Sequence, residues 1–361
     1  MALSVLRDLF VGGIRNTVAN RTNRSGPGGF VFSLDFELIW GVYGTRSISN
    51  YGKNILGVRQ MVPRMLDLLG QHELGCTWAT VGFLFCSSRD ELLACLPSIR
   101  PAYRDQRLSA YSYLHELGVD ERRDPYHFAP SLIAKIAARP RQEIATHTFS
   151  HYYCLEEGQT AEAFAADLEA ALALAAAKGH RISSIVFPRN QVSEAALAIC
   201  REAGLTVYRG ASSTPEGTGI ARSQEKRSQR AVRLIDSYFE TNARPAYAIK
   251  RSDGMVNVPA SLFLRPYSRQ LGFAESFKLE RILGAMRRAA QSGSLFHLWF
   301  HPHNFGVDQD ENFWLMSKIA AEAVRLRDRY GWPTLNMAEA AAQVGAHPST
   351  REVDTVRVVN A

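Results

Sequence analysis

Side chains that can bind metal ions or transfer protons follow four short apolar runs of the sequence, close to the point where each run ends. They are Asp35, Glu37, His147, His151, Arg189 and His301. Carboxylates and imidazoles serve as metal ligands and as general bases or acids. A guanidinium next to a carboxylate can form an ion pair and hold that carboxylate ionised.

The histidine pair His147 and His151 has the spacing of one helical turn. Such a turn would direct both imidazoles to a common point, as metal-binding pairs require. A lone pair of this kind is usually structural, but its position at the end of an apolar run favours metal binding.

The other four residues also have structural alternatives. Asp35 could cap a helix or form a turn, Arg189 could be a simple ion-pair partner, and His301 could be a core histidine. Glu37 is harder to explain in this way. It precedes the apolar residues Leu38, Ile39 and Trp40, and a buried carboxylate without a partner is costly.

The apolar runs that position these residues alternate with helical patterns over most of the chain. Eight runs read as short strands: 30–35, 76–82, 143–147, 184–189, 205–210, 255–259, 295–301 and 333–337. The alternation predicts an α/β fold, and about seven strand–helix units predict a distorted, closed or nearly closed (β/α) barrel. The carboxyl ends of barrel strands lie on one face, so this fold would bring the six side chains to one rim.

The predicted domain organisation has one barrel between two terminal segments. Residues 1–29 form a basic segment and linker, residues 30–345 the barrel, and residues 346–361 a polar tail. The stretch 97–130 is too long for a simple connection, and we interpret it as an inserted region. Packing helices are favoured slightly for this region over a lid or specificity element. The stretch 211–224 is another long connection.

Composition and charge exclude several classes of protein. Of 361 residues, 46% are hydrophobic and 21% charged, as in a globular protein, and no run reaches the ~20 apolar residues of a membrane span. The net charge of +7 comes from residues 1–29 and 222–233, and no nucleic-acid-binding motif accompanies it. We therefore expect no nucleic-acid partner. For residues 1–29, a solvated terminus and contact with acidic lipids both remain open.

The predicted location is the cytoplasm, with peripheral association at the inner membrane as the open alternative. The first residues lack the basic region and uninterrupted apolar run of a secretory signal. The five cysteines are scattered and never spaced as Cys-x-x-Cys, which indicates a reducing compartment rather than a disulfide framework or a thiolate zinc site. The sequence predicts no oligomeric state.

The order and spacing of these motifs resemble the polysaccharide deacetylase family, the carbohydrate esterase group of metal-dependent deacetylases. The resemblance runs from about Phe30 to Met337 and includes a second-strand motif at 77–83. It implies a divalent metal, usually zinc, bound by one carboxylate and two histidines. By this resemblance Asp35 would be the general base, and Glu37, His147 and His151 the metal ligands.

The resemblance also implies roles for the remaining residues. Arg189 would hold Asp35 ionised, and His301 would protonate the departing amine. A backbone N–H near Thr148 or Phe149 would help to bind the oxyanion. The candidates for substrate contact are Trp40, Thr148, Asn190 and Trp299, with core packing as the alternative for the two tryptophans.

The sequence departs from the common family pattern in three places. The usual pair of adjacent aspartates is here Asp35-Phe36-Glu37, so the roles of base and ligand could be exchanged. The third motif has Pro before Arg189 rather than after it. The fourth motif has no clear counterpart, and Asp236 is its weak candidate.

The function implied by the resemblance is removal of an N-acetyl group from a sugar. The substrate would be an N-acetylated saccharide unit of a surface or exopolysaccharide, or a cytoplasmic precursor linked to a nucleotide or a lipid. Two alternatives are a deformylase or small-molecule amidohydrolase that acts on another C–N bond, and a barrel that binds glycans without catalysis. Zinc is the expected metal, although cobalt, nickel and manganese can occupy such a site.

Overall fold

The computed structural model describes residues 28–210, 248–252 and 254–346. Its strands are β1 Phe30–Phe36, β2 Cys76–Thr80, β3 Gln142–Thr146, β4 Ser184–Val186, β5 Val207–Arg209, β6 Lys250–Ser252, β7 Met255–Asn257, β8 Leu262–Phe263, β9 Phe296–Phe300 and β10 Thr334–Leu335. Its helices are α1 Ile48–Gln71, α2 Arg89–Ala94, α3 Pro130–Ala137, α4 Ala161–Ala177, α5 Glu194–Glu202, α6 Glu275–Ser292, α7 Gln309–Tyr330 and α8 Met337–Ala346.

The strands form one curled sheet with the order β6-β7-β5-β4-β3-β2-β1-β9-β8, and β10 pairs with β1. All pairings are parallel except that of β6 with β7. Strand β1 lies near the middle, and all seven of its residues are buried. Burial on both faces explains its nearly continuous apolar sequence, which is typical of a parallel sheet covered by helices.

The chain from β7 to β8 closes the sheet into a barrel. Its first half donates backbone hydrogen bonds to β5 and its surroundings, such as that from Val258 to Tyr208 at 2.9 Å. Its second half pairs with β9, where Leu264 donates to Trp299 at 2.8 Å. The predicted (β/α) barrel is therefore confirmed, and the closing segment explains why the final units are irregular.

The helices follow the predicted patterns. Helix α4 begins after Thr160, whose side chain accepts a hydrogen bond from the backbone of Ala163, as expected of an N-cap. Apolar residues that recur at helical spacing in α6 (Leu279, Ile282, Leu283 and Met286) and in α7 (Leu315, Ile319, Ala323 and Leu326) are buried, and these two helices pack against each other. No helix within the described residues is long and apolar enough to cross a membrane.

The stretch 97–130 consists mainly of 3-10 turns and loops that pack on the barrel. A buried pair fastens its end, because the ring of His127 hydrogen-bonds both carboxylate oxygens of Asp124, at 2.8 and 2.9 Å. Residues 1–27, 211–247, 253 and 347–361 lie outside the described residues. They include nearly all of the basic segment 1–29, the basic segment 222–233, most of the polar tail and Asp236.

Candidate active site

The carboxyl ends of the parallel strands form a rim that carries the residues with chemical potential. Asp35 is the sixth residue of β1, and Glu37 directly follows this strand. His147 directly follows β3, and His301 directly follows β9. The barrel therefore brings side chains from distant parts of the sequence to one place, as the strand-end positions predicted.

Asp35 is buried and forms an ion pair with Arg209, the last residue of β5. The two guanidinium nitrogens lie 2.6 and 2.7 Å from the two carboxylate oxygens, which is a bidentate arrangement. Burial raises the pKa of Asp35, but Arg209 and then His147 and His301 outweigh it, so the pKa is lowered from its usual value. Asp35 is therefore ionised at neutral pH.

The Arg209 guanidinium is held by further contacts. One of its nitrogens donates to Ser33 Oγ at 3.1 Å, and the other donates to Asn190 Oδ1 at 3.2 Å. The guanidinium also lies 4.2 Å from the ring centroid of Trp299, within the range of a cation–π contact. The prediction that Arg189 holds Asp35 is wrong, because Arg209 pairs with both carboxylate oxygens. Arg209 lies on β5, which is the neighbour of the strand β4 that precedes Arg189.

Glu37 lies among four histidines, and each of its two carboxylate oxygens faces two of them. Oε2 is 3.1 Å from Nε2 of His151 and 3.4 Å from Nε2 of His147. Oε1 is 2.9 Å from Nε2 of His303 and 3.7 Å from Nε2 of His301. Burial raises the pKa of Glu37, but the four histidines together lower it well below its usual value.

Glu37, His147 and His151 fit a divalent metal ion. Their ligand atoms lie within 4.8 Å of one another, and all three side chains are buried. His147 Nδ1 donates to the carbonyl oxygen of Val186 at 2.7 Å, so in the neutral ring Nε2 directs a lone pair at the carboxylate. A cation between these two acceptors removes their repulsion.

His151 has a ring nitrogen without a partner. Its Nδ1 is buried and has no hydrogen-bond partner among the described residues. Buried polar atoms are normally paired, so an unpaired one beside the ligand candidates is unusual for a purely structural cluster. One carboxylate and two imidazoles form a donor set that suits zinc.

His301 differs from the other histidines in its exposure. Its side chain is 25% exposed, compared with 1% for His147 and 3% for His151. Its Nε2 lies 3.8 Å from Oδ2 of Asp35. Burial lowers the pKa of His301 more than Glu37 and Asp35 raise it. The ring can therefore meet a ligand that enters from solvent.

The loops at the rim contain backbone conformations that side chains rarely adopt. Five residues without the freedom of glycine have positive φ angles: Leu38, Thr148, His151, Arg189 and Asn190. Each such residue costs on the order of 1–3 kcal/mol, and strain of this kind concentrates at functional sites. The strain therefore marks the same rim as the charged residues.

Comparison with known proteins agrees with this geometry. The family model for polysaccharide deacetylase matches residues 52–208, a range that includes the His147 and His151 motif. Over these residues the chain is similar to the polysaccharide deacetylase family. The other rim residues, Asp35, Glu37 and His301, lie outside the matched range, and the fold brings them to the histidine pair.

Solved structures share the fold of this chain. A Mycobacterium smegmatis protein assigned to the polysaccharide deacetylases has a TM-score of 0.58 at 14% identity, over 94% of this chain and 98% of that one. A Pseudomonas aeruginosa protein assigned likewise has 0.51 at 12%, over 89% and 92%. The PuuE allantoinase has 0.51 at 12%, over 94% and 100%. A comparison with curated sequences finds no match.

Two of the predicted substrate contacts, Trp40 and Thr148, are core residues. Trp40 is fully buried, and its Nε1 donates to the backbone oxygen of His127 at 2.9 Å. Thr148 is also fully buried, and its hydroxyl accepts the Tyr152 N–H at 2.7 Å. Neither side chain is accessible to a substrate, because both are buried and hydrogen-bonded to the backbone.

The predicted oxyanion donors are also occupied. The backbone N–H of Thr148 donates to Thr146 Oγ1 at 3.1 Å, and that of Phe149 donates to Asp167 Oδ1 at 2.7 Å. The other two candidates for substrate contact lie at the rim. Asn190 and Trp299 are both partly exposed, and both contact Arg209.

Arg209 and His303 are site residues that the sequence analysis missed. An arginine at the end of the predicted strand 205–210 was a signal, because a buried charge in such a position needs a partner. His303 follows His301 by two residues, and this short spacing was a signal that both belong to one cluster.

Proposed function

We propose that this protein is a metal-dependent hydrolase that removes an N-acetyl group from a sugar unit of a polysaccharide or its cytoplasmic precursor. One observation carries the proposal: the ionised Asp35 and the partly exposed His301 lie 3.8 Å apart, directly beside the buried donors Glu37, His147 and His151. A base, an acid and a ligand set are the three elements that amide hydrolysis requires.

Asp35 and His301 carry out the two proton transfers of the proposed reaction. Asp35 accepts a proton from the attacking water, and Arg209 holds the carboxylate ionised and oriented for this role. The water oxygen bonds to the acetyl carbon, and the C–N bond breaks. His301 donates a proton to the departing nitrogen, which makes the amine a better leaving group. The products are acetate and the free amino sugar.

Glu37, His147 and His151 would hold the metal ion, and we propose zinc. A bound divalent ion supplies Lewis acidity for the carbonyl group and acidity for water. The exchange of roles between Asp35 and Glu37 is disfavoured. Asp35 has both oxygens on Arg209, whereas Glu37 directs an oxygen at the two histidines.

The partly exposed Trp299 supports a saccharide substrate. Its ring packs against Phe263 and His301, so a sugar that contacts its exposed part would lie beside the proposed acid. Asn190 also contacts Arg209, and its side-chain amide could bind a hydroxyl or the acetamide. We propose these two residues for substrate contact, and the identity of the sugar is a question for a substrate panel.

An amidohydrolase that acts on another C–N bond is the second candidate. The fold shared with an allantoinase supports it, because that scaffold also serves a protein named for ureide chemistry. A glycan-binding barrel without catalysis would need no acid and base, and the pairing of Asp35 with Arg209 beside His301 argues against it.

We propose a cytoplasmic location, with peripheral membrane contact through residues 1–29 as the alternative. All five cysteines are free, and four of them are buried, which supports a reducing compartment. Cell fractionation of the tagged full chain would distinguish a soluble from a membrane-associated pool.

The test of the proposed function is metal content together with acetate release. Protein purified without chelator is compared with the double variant His147→Ala/His151→Ala by mass spectrometry. We expect about one equivalent of metal in the wild type and almost none in the variant. Acetylated, formylated and ureide substrates are then compared with Asp35→Asn as the inactive control. Equal metal in both proteins, or none in either after reconstitution, would contradict the proposal.

A further inference from the structure

We propose that His303 and Tyr51 are positioning residues that orient Glu37 for metal binding. The inference rests on the proposed function, because it assigns a role beside the proposed metal ligands. Neither residue was predicted from the sequence. His303 lies in the 3-10 turn Pro302–Phe305 after β9, and Tyr51 lies in the first turn of α1.

The first observation is the way in which Glu37 uses its two oxygens. Oε2 faces the proposed ligands His147 and His151, whereas Oε1 lies 2.9 Å from Nε2 of His303. His303 is 4% exposed, so water does not compete strongly for this contact. A ligating carboxylate that accepts a hydrogen bond on its second oxygen keeps the first oxygen directed at the ion.

The second observation is the partner of the other ring nitrogen. The Tyr51 hydroxyl lies 3.0 Å from Nδ1 of His303. The same hydroxyl lies 3.2 Å from Oδ1 of Asn304, which is a second acceptor for its single hydrogen. The carboxylate of Glu37 only accepts, so the 2.9 Å contact places a hydrogen on Nε2 of His303. In the neutral ring Nδ1 is then an acceptor, and a hydrogen bond from Tyr51 to Nδ1 stabilises the tautomer in which His303 donates to the carboxylate.

The third observation is that the backbone holds this chain of contacts in place. Helix α1 and the turn 302–306 approach so closely that a Cβ on Gly57 would lie 1.8 Å from the carbonyl oxygen of Gly306. Asn54 also donates to the backbone oxygen of His303 at 3.3 Å. The helix that carries Tyr51 and the turn that carries His303 therefore form one rigid unit.

The fourth observation is the close approach of Gly41 to the carboxylate of Glu37. A Cβ on Gly41 would lie 1.9 Å from the carboxyl carbon of Glu37. The carboxylate thus lies between the bare backbone of Gly41 and the ring of His303. It has little freedom to turn Oε2 away from the two ligand histidines.

A second cation is the competing interpretation of the same contacts. Glu37, His301 and His303 offer ligand atoms within 4.8 Å of one another, so they could hold an ion of their own. In that case His303 Nε2 would carry a lone pair rather than a hydrogen. The two interpretations predict different numbers of bound ions and different effects of Tyr51.

The experiment measures the dissociation constant for Zn²⁺ by chelator competition in the full-length protein. The variants are His303→Ala, His303→Gln and Tyr51→Phe, and the Co²⁺ absorption spectrum is recorded for each. We expect 10- to 100-fold weaker binding for His303→Ala, as is typical for the loss of a residue behind a metal ligand. His303→Gln, which restores a donor, should recover part of the affinity, and Tyr51→Phe should weaken it less.

His127→Ala is the matched control. His127 is also a buried histidine paired with a carboxylate, Asp124, but it does not contact Glu37. It should lower the melting temperature and leave the Zn²⁺ dissociation constant unchanged. Equal affinity in wild type and His303→Ala, or two ions in the wild type and one in His303→Ala, would overturn the positioning role. A wild type that binds no ion would instead contradict the proposed function.

Discussion

Two aspartates in the interior of this barrel have similar burial and opposite acidities. Asp35 is 2% exposed and Asp167 of α4 is 0% exposed. The Arg209 guanidinium pairs with Asp35 and lowers its pKa, whereas burial raises the pKa of Asp167 to about 6. The difference lies in the partners, because the hydrogen bonds to Asp167 come only from uncharged donors.

The neutral donors give Asp167 a structural task. It accepts hydrogen bonds from the backbone of Phe149 at 2.7 Å and of Ser150 at 3.2 Å, and from the Ser150 and Tyr111 hydroxyls. These contacts hold the loop between the two proposed ligand histidines. Burial alone therefore does not distinguish the proposed base from a structural carboxylate in this protein, whereas the cationic partner of Asp35 at the rim does.

The largest effect expected from this comparison is on catalysis. Asp35→Asn should lower kcat on the order of 10²- to 10⁴-fold, because the proposed general base is lost. Metal content should stay near one equivalent, since Asp35 is not a proposed ligand. Acetate release and mass spectrometry measure the two quantities, and retained activity would exclude Asp35 as the base.

The second largest effect is on the free energy of unfolding and concerns Arg209, the cationic partner of Asp35. Arg209→Met should lower the free energy of unfolding by about 3–5 kcal/mol, because it leaves a buried carboxylate without its partner. Urea unfolding measures the loss. Arg189→Met is the matched control, and a similar loss in that variant would contradict the assignment of the ion pair to Arg209.

The two aspartates should also give opposite slopes of stability against pH. The folded-state pKa of Asp167 lies above its unfolded value, so the folded protein binds the proton more tightly. Its contribution to stability is present at low pH and falls as pH rises from about 4 to about 6, by about 3 kcal/mol at 1.36 kcal/mol per pKa unit. The lowered pKa of Asp35 acts in the other direction, since stability is lost as pH falls through it.

Urea unfolding between pH 4 and pH 7 checks this prediction. The difference in stability between wild type and Asp167→Asn should change across this range as Asp167 ionises. A constant difference would show that Asp167 does not titrate there.

The smallest expected effect isolates one neutral donor. Tyr111→Phe removes the hydroxyl that donates to Asp167 at 3.3 Å and keeps the ring. The free energy of unfolding should fall by about 1 kcal/mol, as for the loss of a typical hydrogen bond. Activity per folded molecule should not change, and a large drop in kcat would give Asp167 and Tyr111 a catalytic role.

Much of the fold was predictable because it depends on local patterns. The eight apolar runs predicted the strands from β1 to β5 and also β7, β9 and β10. The short strands β6 and β8 were missed, since their two or three residues carry no periodicity. The closing segment was also missed, because it makes its hydrogen bonds to strands that are distant in sequence.

Only those site residues that lie at the carboxyl end of a predicted strand could be predicted from the sequence. The strand ends predicted that Asp35, Glu37, His147 and His301 would meet at one rim. They could not decide between Arg189 and Arg209, because the partner of Asp35 depends on how far each strand extends across the curled sheet. For the same reason Trp40 was misplaced, since the packing of the region 97–130 over it is tertiary.

The central place of β1 has a consequence for biogenesis. Phe30 pairs with Phe296 of β9, so this neighbour of β1 is synthesised long after β1 itself. Parallel pairing across such a separation is slow, and an open apolar edge favours aggregation. A nascent chain that stops before β9 contains Glu37, His147 and His151 but leaves β1 unprotected. We therefore expect ribosome stalling or C-terminal truncation to produce aggregates rather than a partly active enzyme.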